Sequence, residues 1–264
     1  KELIDAMVVG SGDPSKPRAP DDLGRFGMGL KSASISQCRK LIVIGRKNQQ
    51  YCGAIWDVDL IKKTGRWTLE VLNKNDINKY LREHEIENFN VGTLVIWDNI
   101  DSIQGSNKAE LEKDQDEKIA NTIDHIELTY HRFLDAGPKD SIKILFNNRV
   151  LKAFDPFFTK NSKTHREEAQ QVPAGDADGS FIYLTAFTIP HDKFLSADET
   201  NKSESNDGLY KNQGFYIYRE KRLIMYGGWF GLQRFKEISK LARVMVDVPS
   251  SLDSNWVTAV SYTH

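Results

Sequence analysis

The sequence is short of excess charge, of long apolar runs and of cysteine, and each shortage excludes something. Thirty-six basic residues meet 37 acidic ones for a formal net charge of −1. No global field draws such a chain to nucleic acid or to an anionic membrane, so a polyanion has to be held locally. The longest apolar runs, residues 7–9, 41–44 and 94–97, fall far short of the roughly 20 residues of a membrane-spanning helix. Neither crossing nor anchoring in a bilayer is expected. The two cysteines, Cys38 and Cys52, have no second Cys-x-x-Cys and no histidine at ligand spacing, so they read as buried free thiols rather than metal ligands. Free thiols without a secretory leader point to a reducing compartment, the cytoplasm. An initiating methionine is missing too. Residues 1–7 read as the middle of an amphipathic helix, which implies sequence upstream, and residues 260–264 break the preceding pattern and read as a non-native tail.

What is present, 264 residues with 39% hydrophobic and 28% charged, is the composition of a globular protein of one large or two ordinary domains. Two β-rich runs at 41–44 and 51–58 flank the polar stretch 46–50, a hairpin signature. Residues 67–72 and 93–97 supply two more strands, so the first half reads as a sheet with helices on one face. Residues 102–118 read as a solvated loop entering a helix, whose apolar period runs through Ile119, Ile123, Ile126, Tyr130, Phe133 and Leu134 until Gly137-Pro138 stops it. That helix is expected to close a first domain at residue 137, with His125 and His131 on its surface. A second α+β unit, 138–259, follows, with strands at 141–146, 149–153, 181–189, 214–219, 223–226 and 242–248 and a turn at Asn147-Asn148. Residues 159–179 and 192–212 read as aperiodic surface loops.

The chemistry is concentrated in Leu23-Gly24-Arg25-Phe26-Gly27-Met28-Gly29-Leu30-Lys31-Ser32-Ala33-Ser34, where three glycines precede good helix formers. Glycines let backbone approach an anion without Cβ clashes, and the free N–H groups of a helix start point at the same spot. Several such donors together with Lys31 could hold a polyphosphate in a nearly neutral chain. In isolation the pattern is equally a turn that packs a helix on a sheet. A P-loop needs Gly-Lys-Ser, which Leu30 interrupts. The dinucleotide and kinase Gly-x-Gly-x-x-Gly patterns have the opposite spacing. Upstream, residues 10–22 are turn formers with almost no apolar content, readable as a lid over a phosphate site or as a plain connector.

Taken together, Gly10-Ser11, the polar stretch after them and the glycine run resemble the GHKL superfamily. That group includes DNA gyrase B, ninety-kilodalton heat-shock chaperones, MutL proteins, sensor histidine kinases and MORC ATPases. The Gly-Arg-Phe-Gly-x-Gly-Leu-Lys form is closest to MORC-like and uncharacterised bacterial members. Val91-Gly92-Thr93-Leu94-Val95-Ile96-Trp97 is similar to the strand whose threonine lies near adenine in that family. Gly214-Phe215-Tyr216, Arg222-Leu223-Ile224, Gly227-Gly228-Trp229 and Leu252-Asp253-Ser254-Asn255-Trp256 resemble the transducer domain that follows the ATPase domain. The resemblance implies an α+β chain: a Bergerat-type two-layer α/β sandwich, truncated at its N-terminus, over 1–137, then a transducer-like domain over 138–259. It implies ATP as ligand, with Gly10, Ser11, Gly24, Arg25, Phe26, Gly27, Met28, Gly29, Leu30, Lys31 and Thr93 as binding residues. It further implies lid closure and an ATP-dependent homodimer. A basic residue of the second domain would reach the terminal phosphate, with Arg222, Arg234, Lys236 and Arg243 undistinguished.

The family's hydrolytic glutamate, its magnesium-binding asparagine and the Asp-x-Gly-x-Gly motif have no counterpart in these residues, so no catalytic or metal residue is assigned. The expectation is an ATPase fragment whose Mg2+ ligand lies upstream and which is itself inactive. The alternative is a non-hydrolysing, nucleotide-ordered scaffold or a DNA-associated module, although charge does not indicate nucleic acid.

Overall fold

Two continuous β-rich runs, buried on both faces at their centres, produce the hairpin on which the N-terminal half is built. The computed structural model describes residues 2–8, 23–24, 27–86, 89–174 and 180–252. Two compact units result, one of residues 1–17 and 24–115, the other of 18–23 and 116–264.

The described elements of the first unit are, in order, α1 (Glu2–Met7), α2 (Gly29–Ile35), β1 (Cys38–Lys47), β2 (Gln50–Asp57), α3 (Val58–Thr64), β3 (Leu69–Leu72), α4 (Lys74–Glu83) and β4 (Gly92–Ile100). Asn48 and Gln49 join β1 to β2 with φ of 49° and 62°, and two left-handed residues are what lets a tight turn match the twist of its strands. The sheet is antiparallel in the order β3-β2-β1-β4. Because successive side chains point to opposite faces, Ile42, Ile44, Ile55, Leu72 and Ile96 pack with Ile77 and Leu81 of α4. Leu41, Val43, Ala54 and Trp56 pack on the other face with Leu3 and Met7 of α1. The expected α+β sheet is therefore found, and helices cover both of its faces rather than one. The sequence signal for α4 is the capping box of Asn73 and Asp76, followed by Ile77, Tyr80 and Leu81 at helical spacing.

Helix α5 (Lys108–Thr129) crosses the division between the units, and α6 (His131–Leu134) follows after a break at Tyr130. The sequence reading of a loop over 102–118 and one unbroken helix after it is corrected here. Helix α5 starts earlier, and its last turn buries Leu128 among Phe157, Phe187, Tyr216, Tyr218 and Leu223 of the second unit. The remaining described strands and helices are β5 (Leu145–Phe146), β6 (Arg149–Val150), β7 (His165–Arg166), β8 (Gln170–Pro173), β9 (Phe181–Thr188), α7 (Ala197–Ser205), α8 (Gly208–Lys211), β10 (Gly214–Arg219), β11 (Arg222–Tyr226) and β12 (Ala242–Val248). The main sheet runs β11-β10-β12-β9-β7, with β8 also on β9. Only β10 and β12 are parallel neighbours in it. The loop expected over 192–212 holds α7 and α8 instead. A capping box of Ser196 and Glu199 starts α7, and Lys202 fastens it through ion pairs to Asp124, at 2.9 Å, and Glu127. A helix that buries only Ser203 carries no apolar period to read.

Histidine 131 is buried, not on the surface. Its Nε2 lies 2.7 Å from the Tyr218 hydroxyl, and burial pushes the imidazole down to about 4. The folded chain thus holds His131 neutral where the unfolded chain, with a pKa near 6.5, protonates it. This contribution is complete above about pH 6.5 and is lost as pH falls towards 4, roughly 3 kcal/mol in all. Urea unfolding of His131→Gln, followed from pH 7 to pH 4, is expected to show a correspondingly shallower loss of stability than the parent chain.

Candidate functional site

Helix α1 ends with carbonyl groups that no further helical turn can satisfy, and the sequence supplies their partners from a distance. The Lys31 ammonium donates to the carbonyls of Ala6, at 2.6 Å, and Val8, at 2.9 Å. Between them, the Met7 carbonyl accepts the Trp56 indole N–H at 3.1 Å. Lys31 is buried, and that burial lowers its pKa. A cation at the C-terminal end of a helix is favourably placed against the helix dipole as well. The lysine expected to compensate phosphate charge is therefore engaged with backbone, and in this arrangement it is a positioning group.

The glycine run leads into α2 with no side-chain cap at Met28, and the first bond of the helix is Ser32 N–H to the Met28 carbonyl at 2.9 Å. The amides of Gly29, Leu30 and Lys31 precede that bond, where helices carry their unsatisfied donors. Gly27 has φ of 60°, a conformation that favours glycine. A Cβ added at Gly29 would meet no atom within 4 Å, so packing does not require a glycine there. Gly24 and Met28 are exposed. Gly10, Ser11, Arg25, Phe26 and the expected lid, residues 10–22, lie outside the described residues.

On the α1 face of the sheet lies a groove of about 840 Å³, within the range of small-molecule sites. Leu3 and Met7 of α1, Val43 of β1 and Cys52 of β2 give it an apolar floor. Leu30, next to the lysine anchor, and Thr93, paired with Gly45 at the start of β4, both border it. The structure thus brings together two of the residues expected at the site from segments over 60 positions apart in sequence. Its rim is polar, with Arg46, Lys47, Asn48 and Gln50. Sequence reasoning missed this rim, although the hairpin signature that placed a turn at 46–50 was its available signal. Glu2 is the carboxylate among the described groove residues. A 3.0 Å ion pair with Lys47 engages it, and the Lys47 hydrogen bond, then its charge, holds that carboxyl below its usual pKa. Among the described residues no group of three or more His, Cys, Asp or Glu could hold a metal ion. No described helix is long and apolar enough to cross a membrane.

Replacing Lys31 with methionine keeps the stem and removes both bonds to α1. The expected result is a loss of about 1.5–3 kcal/mol in urea unfolding, because two helix-end carbonyls lose a charged donor. Accelerated amide exchange in the first unit would accompany it.

Residues 1–93 match the sequence model of a family described as histidine kinase-, DNA gyrase B-, and HSP90-like ATPase. No curated protein matches the chain. The matched span contains α1, the glycine run, the hairpin, Leu30 and Thr93. It supports kinship of this segment with the GHKL superfamily and, with it, an ATP-binding module.

Proposed function

We propose that the chain binds ATP in the groove between α1, α2 and the start of β4. The observation that carries this reading is that Leu30 from the glycine run and Thr93 from β4 border one cavity inside the span that matches an ATPase family. In this reading the amides of Gly27, Gly29 and Leu30, with Gly24, Arg25, Phe26 and Met28 shaping the bend, receive the phosphates. Thr93 contacts the adenine side, its hydroxyl able both to donate and to accept. Gly10, Ser11 and the rest of residues 10–22 close as a lid. Residues 1–137 would form the nucleotide domain and 138–259 a transducer-like domain that relays occupancy to ATP-linked dimerisation. A MORC-like protein of the cytoplasm would fit this description.

The reading limits what the described residues do chemically. Hydrolysis needs a general base with a pKa near the working pH. Glu2 is ion-paired and made less basic by Lys47, which makes it a poor candidate. No magnesium ligand is assigned among the described residues. Binding without turnover by this chain follows, which is also what a nucleotide-ordered scaffold would do.

Calorimetric titration of the chain with ATP tests the proposal. Gly29→Val is the informative variant, because the open space at that position leaves the fold intact while the added atoms keep an anion off the helix start. It is expected to weaken ATP binding by roughly tenfold or more, about 1.4 kcal/mol, with an unchanged melting curve. Phosphate release should stay at background for both chains. Unaltered affinity in Gly29→Val would refute the cradle.

A further inference from the structure

We infer that helix α7 is a releasable cover over an apolar pocket of the second unit, held shut by one cation, Lys202. The inference is independent of the nucleotide reading. Helices of a folded domain ordinarily dock through an apolar stripe, and α7 has none. Its nine residues bury only Ser203. What fastens it is polar, and elements with little buried apolar surface are the ones that open locally while the rest stays folded.

The fastening converges on one side chain. The Lys202 ammonium donates to Asp124 of α5 at 2.9 Å and pairs with Glu127 of the same helix. Glu127 is 2% exposed, and its other oxygen accepts the Lys152 amide at 3.1 Å, so the fold holds this carboxylate in place whether or not α7 is docked. Burial by itself would lower the Lys202 pKa, but the bonds to Glu127 and Asp124 outweigh it and raise the value. Helix α7 otherwise carries Asp198, Glu199 and Glu204 and no second base. Without the ammonium, an acidic helix would lie against two acids of α5, one of them buried and unpaired. Breaking a buried pair at one end is far more damaging than never having had it.

The flanks of α7 are held separately. Asn161 donates through Nδ2 to the Glu199 carboxylate at 3.3 Å and to the Phe194 carbonyl at 3.0 Å, which pins the start of the helix. After it, Asp207 and Gly208 have φ of 66° and 73°, and the Leu209 carbonyl of α8 accepts from Arg243 at 3.0 Å. Release of Lys202 therefore frees α7 without freeing its neighbours. Behind α7 lies a cavity of about 10 Å³, room for about one water molecule. Ser203 and Asn206 border it from the α7 side, and Leu128, Phe154, Phe158 and Tyr216 border it from the other. Opening α7 turns this slot into an apolar pocket, and an apolar or aromatic group is the ligand that would favour the open state.

Hydrogen exchange of the full chain without nucleotide, read by mass spectrometry from zero to about 1 M urea, tests the inference. In the parent, the amides of residues 200–205 are expected to exchange at least about tenfold faster than those of β10 and β12. Urea should hardly change their rate, because a local opening exposes little surface. Lys202→Met keeps the stem and removes the charge. It should speed exchange in α7 by roughly a further tenfold to hundredfold and raise the fluorescence of the apolar dye anilinonaphthalene sulfonate, with β10 and β12 still protected. Lys202→Arg should behave as the parent, and adding Glu127→Gln to Lys202→Met should recover part of the protection. Parent α7 amides that exchange only with global unfolding, as slowly as the sheet, overturn the inference whatever the variants do. So does a folded Lys202→Met chain with unchanged α7 protection, or one that binds no more dye than the parent.

Discussion

One buried ammonium group sets the geometry of the N-terminal unit. Lys31 sits in the first turn of α2, yet its hydrogen bonds end on Ala6 and Val8 at the close of α1. Without these two bonds the buried ammonium would lose its partners, and hydrogen bonds to a charged group contribute about 1.5–3 kcal/mol each. Trp56 secures the carbonyl between them from the opposite side. Helix α1 is thereby fixed to the sheet and to α2 at once. The residue preceding Lys31, Leu30, then borders the groove whose floor α1 supplies. Moving α1 would move the wall of the cavity and the helix start together.

The second unit uses the same device. Arg243 is 1% exposed, and its guanidinium donates to the carbonyls of Lys240, Ala242 and Leu209 rather than to a carboxylate. Burial lowers its pKa, and burial likewise pushes the neighbouring Tyr216 hydroxyl up to about 12. A buried cation without an acid is tolerated when several carbonyl dipoles replace its hydration. Through these bonds Arg243 caps the turns around β12. Of the four basic residues considered for a phosphate contact, Arg222 lies over the Tyr130 ring at 5.6 Å. The sequence leaves Arg243 undistinguished among those four, and the structure gives it a packing role.

What could be read from the sequence divides along the range of the interactions. The hairpin of β1 and β2 was legible because β-rich runs and a polar turn are local, and β9, β10, β11 and β12 were legible because strand-forming runs are local too. Helix α4 was overlooked because just three of its residues are apolar enough to carry a period, although its capping box was in view. The burial of His131 and Arg243 and the backbone bonds of Lys31 were not legible because their environments come from elsewhere. Lys31 bonds residues 23 and 25 positions away, and His131 meets Tyr218 across 87. Residue type suggests an exposed charge in each case, and tertiary packing overrides it. The glycine run was readable as a special backbone, and Gly27 with its positive φ agrees with that. The groove that joins Leu30 to Thr93 was not readable, since nothing local links a helix start to a strand over 60 residues later.

These placements bear on how a triphosphate would be held. Two of the three N–H donors of the Lys31 ammonium are committed to the carbonyls of Ala6 and Val8. A triphosphate would therefore meet at most one Lys31 donor, together with the helix start that Lys31 positions. The remaining direct contact falls to backbone donors at a helix start, each worth about 0.3–1 kcal/mol, and to the basic rim formed by Arg46 and Lys47. Lys47 is already paired with Glu2 in an exposed bridge at 3.0 Å. Bridges of that kind contribute little stability, so exchanging Glu2 for a phosphate oxygen costs the fold almost nothing. In the proposed site the buried lysine would position the helix start, while Lys47, held only in an exposed pair with Glu2, would be the cation most easily exchanged onto a ligand.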